Sequence, residues 1–344
     1  MGGVVAKKDA PRREVSVVIP THDRSGLLRL ALLSVLDQRD VDLEVIVVDD
    51  GSSDDTPQVV GRIDDSRVRL VRHDAPLGVS AARNRGIAEA RGRWVAFLDD
   101  DDIWAPDKLL LQLRALGETG RAWSYTGAVN ITLDHRIIGG SPPLPPEEVV
   151  EGLPRTNLVP AGCSAPLVLA EALAETGGFD GTYHHFADWD LWIRLARAGP
   201  PAWTPGPLVG YRIHPGNASV DTDGMVSELD IIEERYGGPV DRAAFYRHVA
   251  RVSRRINRQG RAIGYYLRAA AKSRGEYPVR ELARDVAGAL RGMARRVRDR
   301  LGHPRPPRRP EGGYDPHRGW REEARPWVEG FVRRHGREPD RPYS

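Results

Sequence analysis

The sequence predicts an α/β protein: a mostly parallel central sheet flanked by helices, with a helical C-terminal extension. Three observations carry that prediction. Short, largely apolar runs recur at 15–19, 44–48 and 94–98, the pattern of strands covered on both faces, and Val68–Arg72 reads as a further strand between them. Segments rich in Leu and Ala separate them, and strands alternating with helices imply parallel pairing with right-handed crossovers. Polar clusters follow three of the runs, at Thr21 to Asp23, Asp49-Asp50 and Asp99 to Asp102. In such sheets ligands bind outside the carboxyl ends of the strands.

Each element follows from local chemistry. Residues 1–13 form a polar leader. The run Val15-Ser16-Val17-Val18-Ile19 is stopped by Pro20, which has no N–H for a ladder. Residues 26–36 are Leu-rich and predict a helix packed on the sheet. A second strand at 44–48 ends in Asp49-Asp50-Gly51-Ser52-Ser53-Asp54-Asp55-Thr56. Helix 57–63, strand 68–72, helix 80–90 and strand 94–98 complete the first half. Ala105-Pro106-Asp107-Lys108 then reads as a first helical turn, with Pro near its start.

The acidic run Asp99-Asp100-Asp101-Asp102 is the strongest chemical signal in the chain. On an extended backbone, Asp99 and Asp101 share one side and Asp100 takes the other. Two same-side carboxylates suit one hard cation such as Mg or Mn. Adjacent like charges repel by about 1 kcal/mol in water and about 4 kcal/mol at a surface-like dielectric, so the cluster calls for a counter-charge. Loop solvation, or capping of the next helix by Asp102, is the alternative; a cap needs one aspartate and four stand here. Neither Gly-x-Gly-x-x-Gly nor Gly-x-x-x-x-Gly-Lys-Ser/Thr follows the first strand. A nucleotide held here is therefore gripped by carboxylates and a cation.

Composition sets the outer limits. The 344 residues allow one large α/β domain plus an appendage. A formal net charge of +3 with 29% charged residues argues against a nucleic-acid partner. The single cysteine, Cys163, excludes an intramolecular disulfide and fits a reducing, cytoplasmic compartment; between Gly162 and Ser164 it reads as a buried, inert thiol. Residues 1–10 show no signal-peptide pattern and no apolar run has membrane length. The expectation is a soluble protein, or one peripheral at the inner face of the membrane.

Several motifs in register resemble family 2 glycosyltransferases. They are Val17-Val18-Ile19-Pro20-Thr21, Val47-Val48-Asp49-Asp50-Gly51-Ser52-Ser53-Asp54-Asp55-Thr56, Gly78-Val79-Ser80-Ala81-Ala82-Arg83-Asn84-Arg85-Gly86 and Phe97-Leu98-Asp99-Asp100-Asp101-Asp102. The resemblance covers about residues 14–215. It implies the GT-A fold, a nucleotide-diphosphate sugar donor, a divalent cation (Mn or Mg) and inversion at the sugar carbon. Pro20, Thr21 and Asp23 match positions that shape the base pocket, and Asp50, with Asp49 beside it, matches the nucleoside contact. A carboxylate suits an imide N–H, which favours uracil or thymine. Asp99 and Asp101 match the Asp-x-Asp pair, Asp101 as metal ligand and Asp99 nearer the ribose, with Asp100 between them. Arg83 and Asn84 are candidate donor contacts or a solvated helix face.

The resemblance divides residues 14–219 into a donor half, 14–120, and an acceptor half, 121–219. In the latter, Trp189, Trp192, Leu195 and Ala196 recur at helical spacing, so a helix starts near Asp188, where its N-terminus favours an ionised carboxylate. Asp188 matches the family's catalytic base; an N-cap role is the alternative. Ala187 stands where many relatives carry Glu. Asp190 is a rival base, and His185 and Trp189 are candidates for the acceptor pocket. The segment Leu208-Val209-Gly210-Tyr211-Arg212-Ile213-His214-Pro215 resembles the family's closing segment, with His214 a metal or diphosphate ligand or a structural histidine, and Arg212 a phosphate partner.

Residues 220–302 predict helices at 240–256 and 279–301. In the latter, Val279, Leu282, Val286, Leu290, Met293, Val297 and Leu301 form a stripe opposite Arg284, Arg291, Arg295 and Arg298. That stripe suits packing on the enzyme, a homo-oligomer contact or an anionic membrane surface. Residues 303–344, rich in Pro, Arg and Gly, predict a largely disordered tail in which Trp320 and Trp327 can anchor a short helix. Three functions fit: a non-processive inverting glycosyltransferase acting on a glycan, lipid-linked or small-molecule hydroxyl; a sugar-1-phosphate nucleotidyltransferase, whose glycine-rich loop after the first strand is missing; and a non-catalytic sugar-nucleotide scaffold, against which Asp99, Asp101 and Asp188 argue.

Overall fold

The computed structural model describes residues 13–214, 216–217, 222–255, 258–273, 278–300 and 318–336. Its spine is the parallel group β3 (Val68–Arg72), β2 (Leu43–Asp49), β1 (Val15–Thr21) and β4 (Trp94–Phe97), in that spatial order. Every residue of β1, β2 and β4 is buried, as continuous apolar runs require. β3 lies at the edge and is half-exposed, which accounts for its arginines.

Helices α1 (Ser25–Leu36), α2 (Thr56–Gly61) and α3 (Val79–Glu89) supply the crossovers. α3 lies so close to β1 that a Cβ on Gly86 would sit 2.2 Å from a methyl of Val18. Only glycine allows that approach, and it brings Arg83 over the sheet's carboxyl edge. Gly51 (φ +73°) turns the chain after β2 where a Cβ would lie 2.8 Å from the Ala75 carbonyl carbon.

Beyond β4 the sheet becomes mixed. β8 (Leu167–Leu169) pairs antiparallel with both β4 and β6 (Trp123–Ile131), and β9 (Ala202–Arg212) runs parallel to β6. β5 (Ile103–Trp104) pairs antiparallel with β9, and β7 (Ile137–Ser141) with β6. The first half is wholly parallel, and β6 with β9 adds a parallel pair among the antiparallel ones of the second half. Because β5 takes Ile103 and Trp104, the next helix, α4 (Lys108–Thr119), starts only at Lys108.

The second half adds α5 (Pro146–Gly152), α6 (Ala170–Thr176) and α7 (Ala187–Ala198). Trp192 of α7 stacks on Trp123 of β6 at 6.1 Å within the main core. Four further helices follow: α8 (Thr222–Tyr236), α9 (Arg242–Arg255), α10 (Gln259–Lys272) and α11 (Val279–Arg300). Tyr246, Val249, Tyr265, Tyr266 and Ala289 form a separate small core among α9, α10 and α11. The α11 stripe is divided: Leu282 and Val286 pack on that core, whereas Leu290, Met293 and Val297 are exposed.

The sequence suggested a largely disordered tail after 303 in which Trp320 and Trp327 could anchor a short helix; α12 (Arg318–His335) is that helix, and at 18 residues it is longer than expected. Its Ala324, Val328 and Phe331 join Leu30, Ile103, Val129 and Ile131 in a third apolar cluster. The indole N–H of Trp320 donates to the Ala128 carbonyl at 2.8 Å, and that of Trp327 to the Pro207 carbonyl at 3.0 Å. A Pro- and Arg-rich composition hides the extent of this helix because its order comes from docking onto β6, β7 and β9. The expectations for Leu301, for 303–317 and 337–344, and for Pro215, lie outside the described residues.

Candidate active site

A cleft of about 1000 Å³ opens at the carboxyl edge of the parallel strands and runs to the N-terminus of α7. Of the candidates from the sequence, Pro20, Thr21, Asp50, Arg83, Asp99, Asp100 and Asp101 line one end. His185, Asp188 and Trp189 line the other. Tertiary folding has brought together groups from both halves of the chain.

The acidic run forms a turn and does not continue the strand. β4 ends at Phe97, and the Asp102 N–H donates to the Asp99 carbonyl at 3.0 Å. The expected alternation of side chains is therefore replaced by a fan. Asp99 accepts from Arg83 at 2.7 Å. Asp100 accepts from the Thr21 hydroxyl at 2.8 Å and from Arg24 at 3.2 Å. Asp101 faces Arg24 at 3.2 Å and His214 Nε2 at 2.9 Å. His214 Nδ1 accepts the Gly216 N–H at 3.1 Å, so Nε2 carries the proton shared with Asp101.

Asp102 points inward and is wholly buried. It accepts from the Ser164 hydroxyl at 2.6 Å and from the Arg212 N–H at 2.9 Å. It does not cap the next helix. Burial, with Asp101 and Asp99 nearby, pushes its carboxyl well above the usual range. Asp100 is pushed up to about 7 by burial and by the charge of Asp101, against the pull of Arg24. Four carboxyls on one turn persist because some stay protonated and the rest meet arginine or histidine.

At the base end of the cleft, Asp50 accepts from His73 (2.7 Å), the Leu77 N–H (2.9 Å) and the Gly78 N–H (2.8 Å). Burial opposes them, but these bonds hold its pKa below the ordinary carboxylate value.

Six sequence candidates are absent from the cleft lining. Asp23 accepts from the backbone of Ser53 and Asp54, and Asp49 from the Ser52 N–H, so both knit the loop after β2. Asn84 clamps Phe179 through its N–H and C=O, at 2.9 and 2.8 Å. Asp190 is wholly buried between Arg194 (2.6 Å) and Arg235 (2.9 Å). Arg212, 1% exposed, donates to the Asp101 carbonyl at 2.6 Å and so holds the acidic turn from behind the cleft. His214 stands just behind Asp101. The physical reason is shared: a polar side chain beside a motif is as often its internal support as its outward surface.

Asp188 sits in the first turn of α7, accepting its neighbour's Trp189 N–H at 2.7 Å and the Asn157 amide at 3.4 Å. Burial raises its pKa to about 6, against the opposing charge of Arg83. The helix terminus alone would have kept it acidic; desolvation wins. Arg83 is itself buried, lies over the Phe179 ring at 5.2 Å and acts on both Asp99 and Asp188. It is the electrostatic link between the two ends of the cleft.

Sequence reasoning passed over Arg24, the counter-charge of the acidic turn, although a run of four carboxylates required one. It also passed over Asn157, Ser164 and Glu228. The Glu228 carboxylate accepts the N–H groups of His184, His185 and Phe186 at 2.9 to 3.2 Å, which fixes the approach to α7. No local pattern marks residues whose partners lie so far away in the chain.

Comparison with known proteins gives the relationship. Residues 16–139 match the family described as Glycosyl transferase family 2. WfgD of Escherichia coli, a UDP-Glc:alpha-D-GlcNAc-diphosphoundecaprenol beta-1,3-glucosyltransferase, is 30% identical over 183 residues, which cover 53% of this chain and 70% of that protein. The chain belongs to glycosyltransferase family 2. The succinoglycan biosynthesis protein ExoO of Rhizobium meliloti is 39% identical over 125 residues, 36% of each chain, so the match spans about a third of that family member. In fold the chain resembles Staphylococcus aureus TarS 1-349, solved in complex with UDP, with a TM-score of 0.54, 16% identity and coverage of 87% of this chain and 95% of that one. The architecture is the GT-A fold of this family.

The internal role of Asp102 is testable by urea denaturation. Asp102→Asn keeps the shape and the uncharged state, so it is expected to cost little stability. Asp102→Ala leaves the Ser164 hydroxyl and Arg212 N–H unpaired in a dry interior and is expected to cost about 3 kcal/mol. Equal, large losses for both would show that Asp102 works as a charge.

Proposed function

We propose that the cleft binds a nucleoside-diphosphate sugar, UDP or TDP favoured, and transfers its sugar with inversion to an acceptor hydroxyl. The observation that carries this reading is one cavity with a counter-charged acidic turn at one end and a half-buried aspartate of raised pKa at the other. A pyrimidine imide N–H suits the remaining acceptor capacity of Asp50. Arg24, a third exposed beside the acidic turn, is placed to meet phosphate.

The residues present fit a divalent cation of one kind. Asp101 Oδ2 accepts from His214, Arg24 and the Asn217 amide (3.5 Å), so it is an oxygen that a cation could take over from these N–H donors. Among the described residues no three His, Cys, Asp or Glu side chains are grouped to hold a metal. Mn or Mg would therefore be held by Asp101, with His214 and Asp99 adjoining, and completed by phosphate and water, as Mg commonly is. Such a cation supplies charge stabilisation for the departing diphosphate.

Asp188 takes the proton from the acceptor hydroxyl as that oxygen attacks the anomeric carbon. A pKa near 6 makes it a stronger base than an exposed aspartate while leaving it mostly ionised at neutral pH. Arg83 keeps that carboxylate charged when the acceptor excludes water. Trp189, whose indole donates to the Leu153 carbonyl at 2.7 Å, and His185 wall the acceptor end.

No helix of the described residues is long and apolar enough to cross a membrane. The exposed Leu290, Met293 and Val297 of α11, with Arg284, Arg291 and Arg298 on the same helix, suit peripheral contact with an anionic bilayer.

Four measurements test these readings. In calorimetric titration one nucleoside diphosphate is expected to bind with Mn, to weaken at least tenfold with EDTA, and to weaken similarly in Asp101→Ala; metal-independent binding would remove the cation. Transfer should rise with pH through an apparent pKa of about 6, falling about tenfold at pH 5, because only ionised Asp188 accepts a proton. Asp188→Asn should lose more than a hundredfold in kcat while keeping nucleotide affinity; a rate within tenfold of the parent would reassign the base. Finally, Leu290→Ser with Val297→Ser is expected to reduce co-sedimentation with anionic vesicles, and unchanged binding would discard the membrane contact.

A further inference from the structure

The cleft extends past Asp188 onto a surface that lies outside the stretch matched to the family. One stripe of α9, Ala244, Phe245, His248, Arg251 and Val252, forms its far wall. The spacing is that of a single helix face. The stripe is fixed relative to the catalytic end: Phe245 packs edge-on against Phe186 at 5.8 Å, and Phe186 against Trp189 at 5.3 Å. A group bound on α9 is thus held in register with the helix that carries Asp188.

The charge on this wall has one sign. Asp188 is the only carboxylate among the lining residues of the acceptor end, whereas His184, His185, His248 and Arg251 all line it. Arg251 is exposed to the cleft and makes no hydrogen bond or ion pair with any other described residue. That sets it apart from Arg24, Arg83, Arg194, Arg212 and Arg235, each of which has a carboxylate or carbonyl partner. An arginine stays charged at any physiological pH and offers a planar fork of donors that matches phosphate or carboxylate oxygens.

We propose that the α9 wall is an anion-binding acceptor subsite. The acceptor carries a phosphate or carboxylate near the sugar whose hydroxyl is glycosylated, and Arg251, with His248 one turn away, receives it. Apolar Phe245 and Val252 on the same stripe pack against the uncharged part of that acceptor. The proposal rests on the transferase reading of the cleft, and it concerns recognition; the chemistry at Asp188 is unchanged.

The test uses the full chain and three alkyl glycosides that differ only in carrying a diphosphate, a carboxylate or no charge. Each is titrated calorimetrically into protein saturated with UDP and Mn, and again without nucleotide. One anionic probe is expected to bind at least tenfold more tightly than the neutral one, and the two anionic arms separate phosphate from carboxylate. In Arg251→Gln that preference should vanish while UDP affinity holds; Arg251→Lys should keep part of it. Equal binding of all three probes by the parent protein, or an unchanged preference in Arg251→Gln, would overturn the subsite. Loss of UDP binding in the parent protein would instead overturn the donor reading, and the titrations without nucleotide still decide the subsite.

Discussion

The buried Asp102 carboxyl is the fixed point of the site. It joins the turn after β4 to Ser164 on one side and to the backbone of β9 on the other. Arg212, the last residue of β9, returns the contact through its guanidinium to the Asp101 carbonyl. Three segments far apart in sequence therefore lock one another, and the outward direction of Asp99, Asp100 and Asp101 follows from that lock. A carboxyl this deep is tolerable only uncharged or fully bonded; both Asp102 oxygens accept a hydrogen bond, and burial favours its uncharged form.

Electrostatic balance explains the rest of the donor end. Concentrated carboxylates repel, and the fold answers with Arg24 between Asp100 and Asp101, Arg83 on Asp99 and His214 on Asp101. Each partner comes from a different element, so the balance exists only in the folded chain. The same arginine that neutralises Asp99 also moderates Asp188. The two ends of the cleft are thereby coupled electrostatically through Arg83, without a direct contact between Asp99 and Asp188.

The helical region does structural work for the acceptor end. Glu228 of α8 gathers three successive N–H groups before α7, and Arg235 of α8 reaches both Asp180 and Asp190. Asp190, two residues from Asp188, serves that attachment. The neighbouring aspartates thus divide the labour: one faces the cleft, the other pins the helix that presents it. α9 then closes the cavity with Ala244, Phe245, His248, Arg251 and Val252.

Strand and helix order in the first half was legible in the sequence because buried parallel strands read as apolar runs and their ends as polar clusters. Local pattern, which marks the end of a strand or the start of a helix, also singled out Pro20, Thr21, Asp50, Asp99, Asp101 and Asp188, and the fold gathers all six on one cleft. Tertiary structure alone decided which side chains face the cleft. Asp23, Asp49, Asn84, Asp190 and Arg212 resemble site residues in sequence and act as internal struts in space, since direction depends on partners at long range. It also decided that residues 318–335 form a docked helix, because an apolar stripe of Ala324, Val328 and Phe331 is stable only against the surface formed by β6, β7 and β9. Local propensity fixed the elements; long-range burial and charge pairing determined what they do.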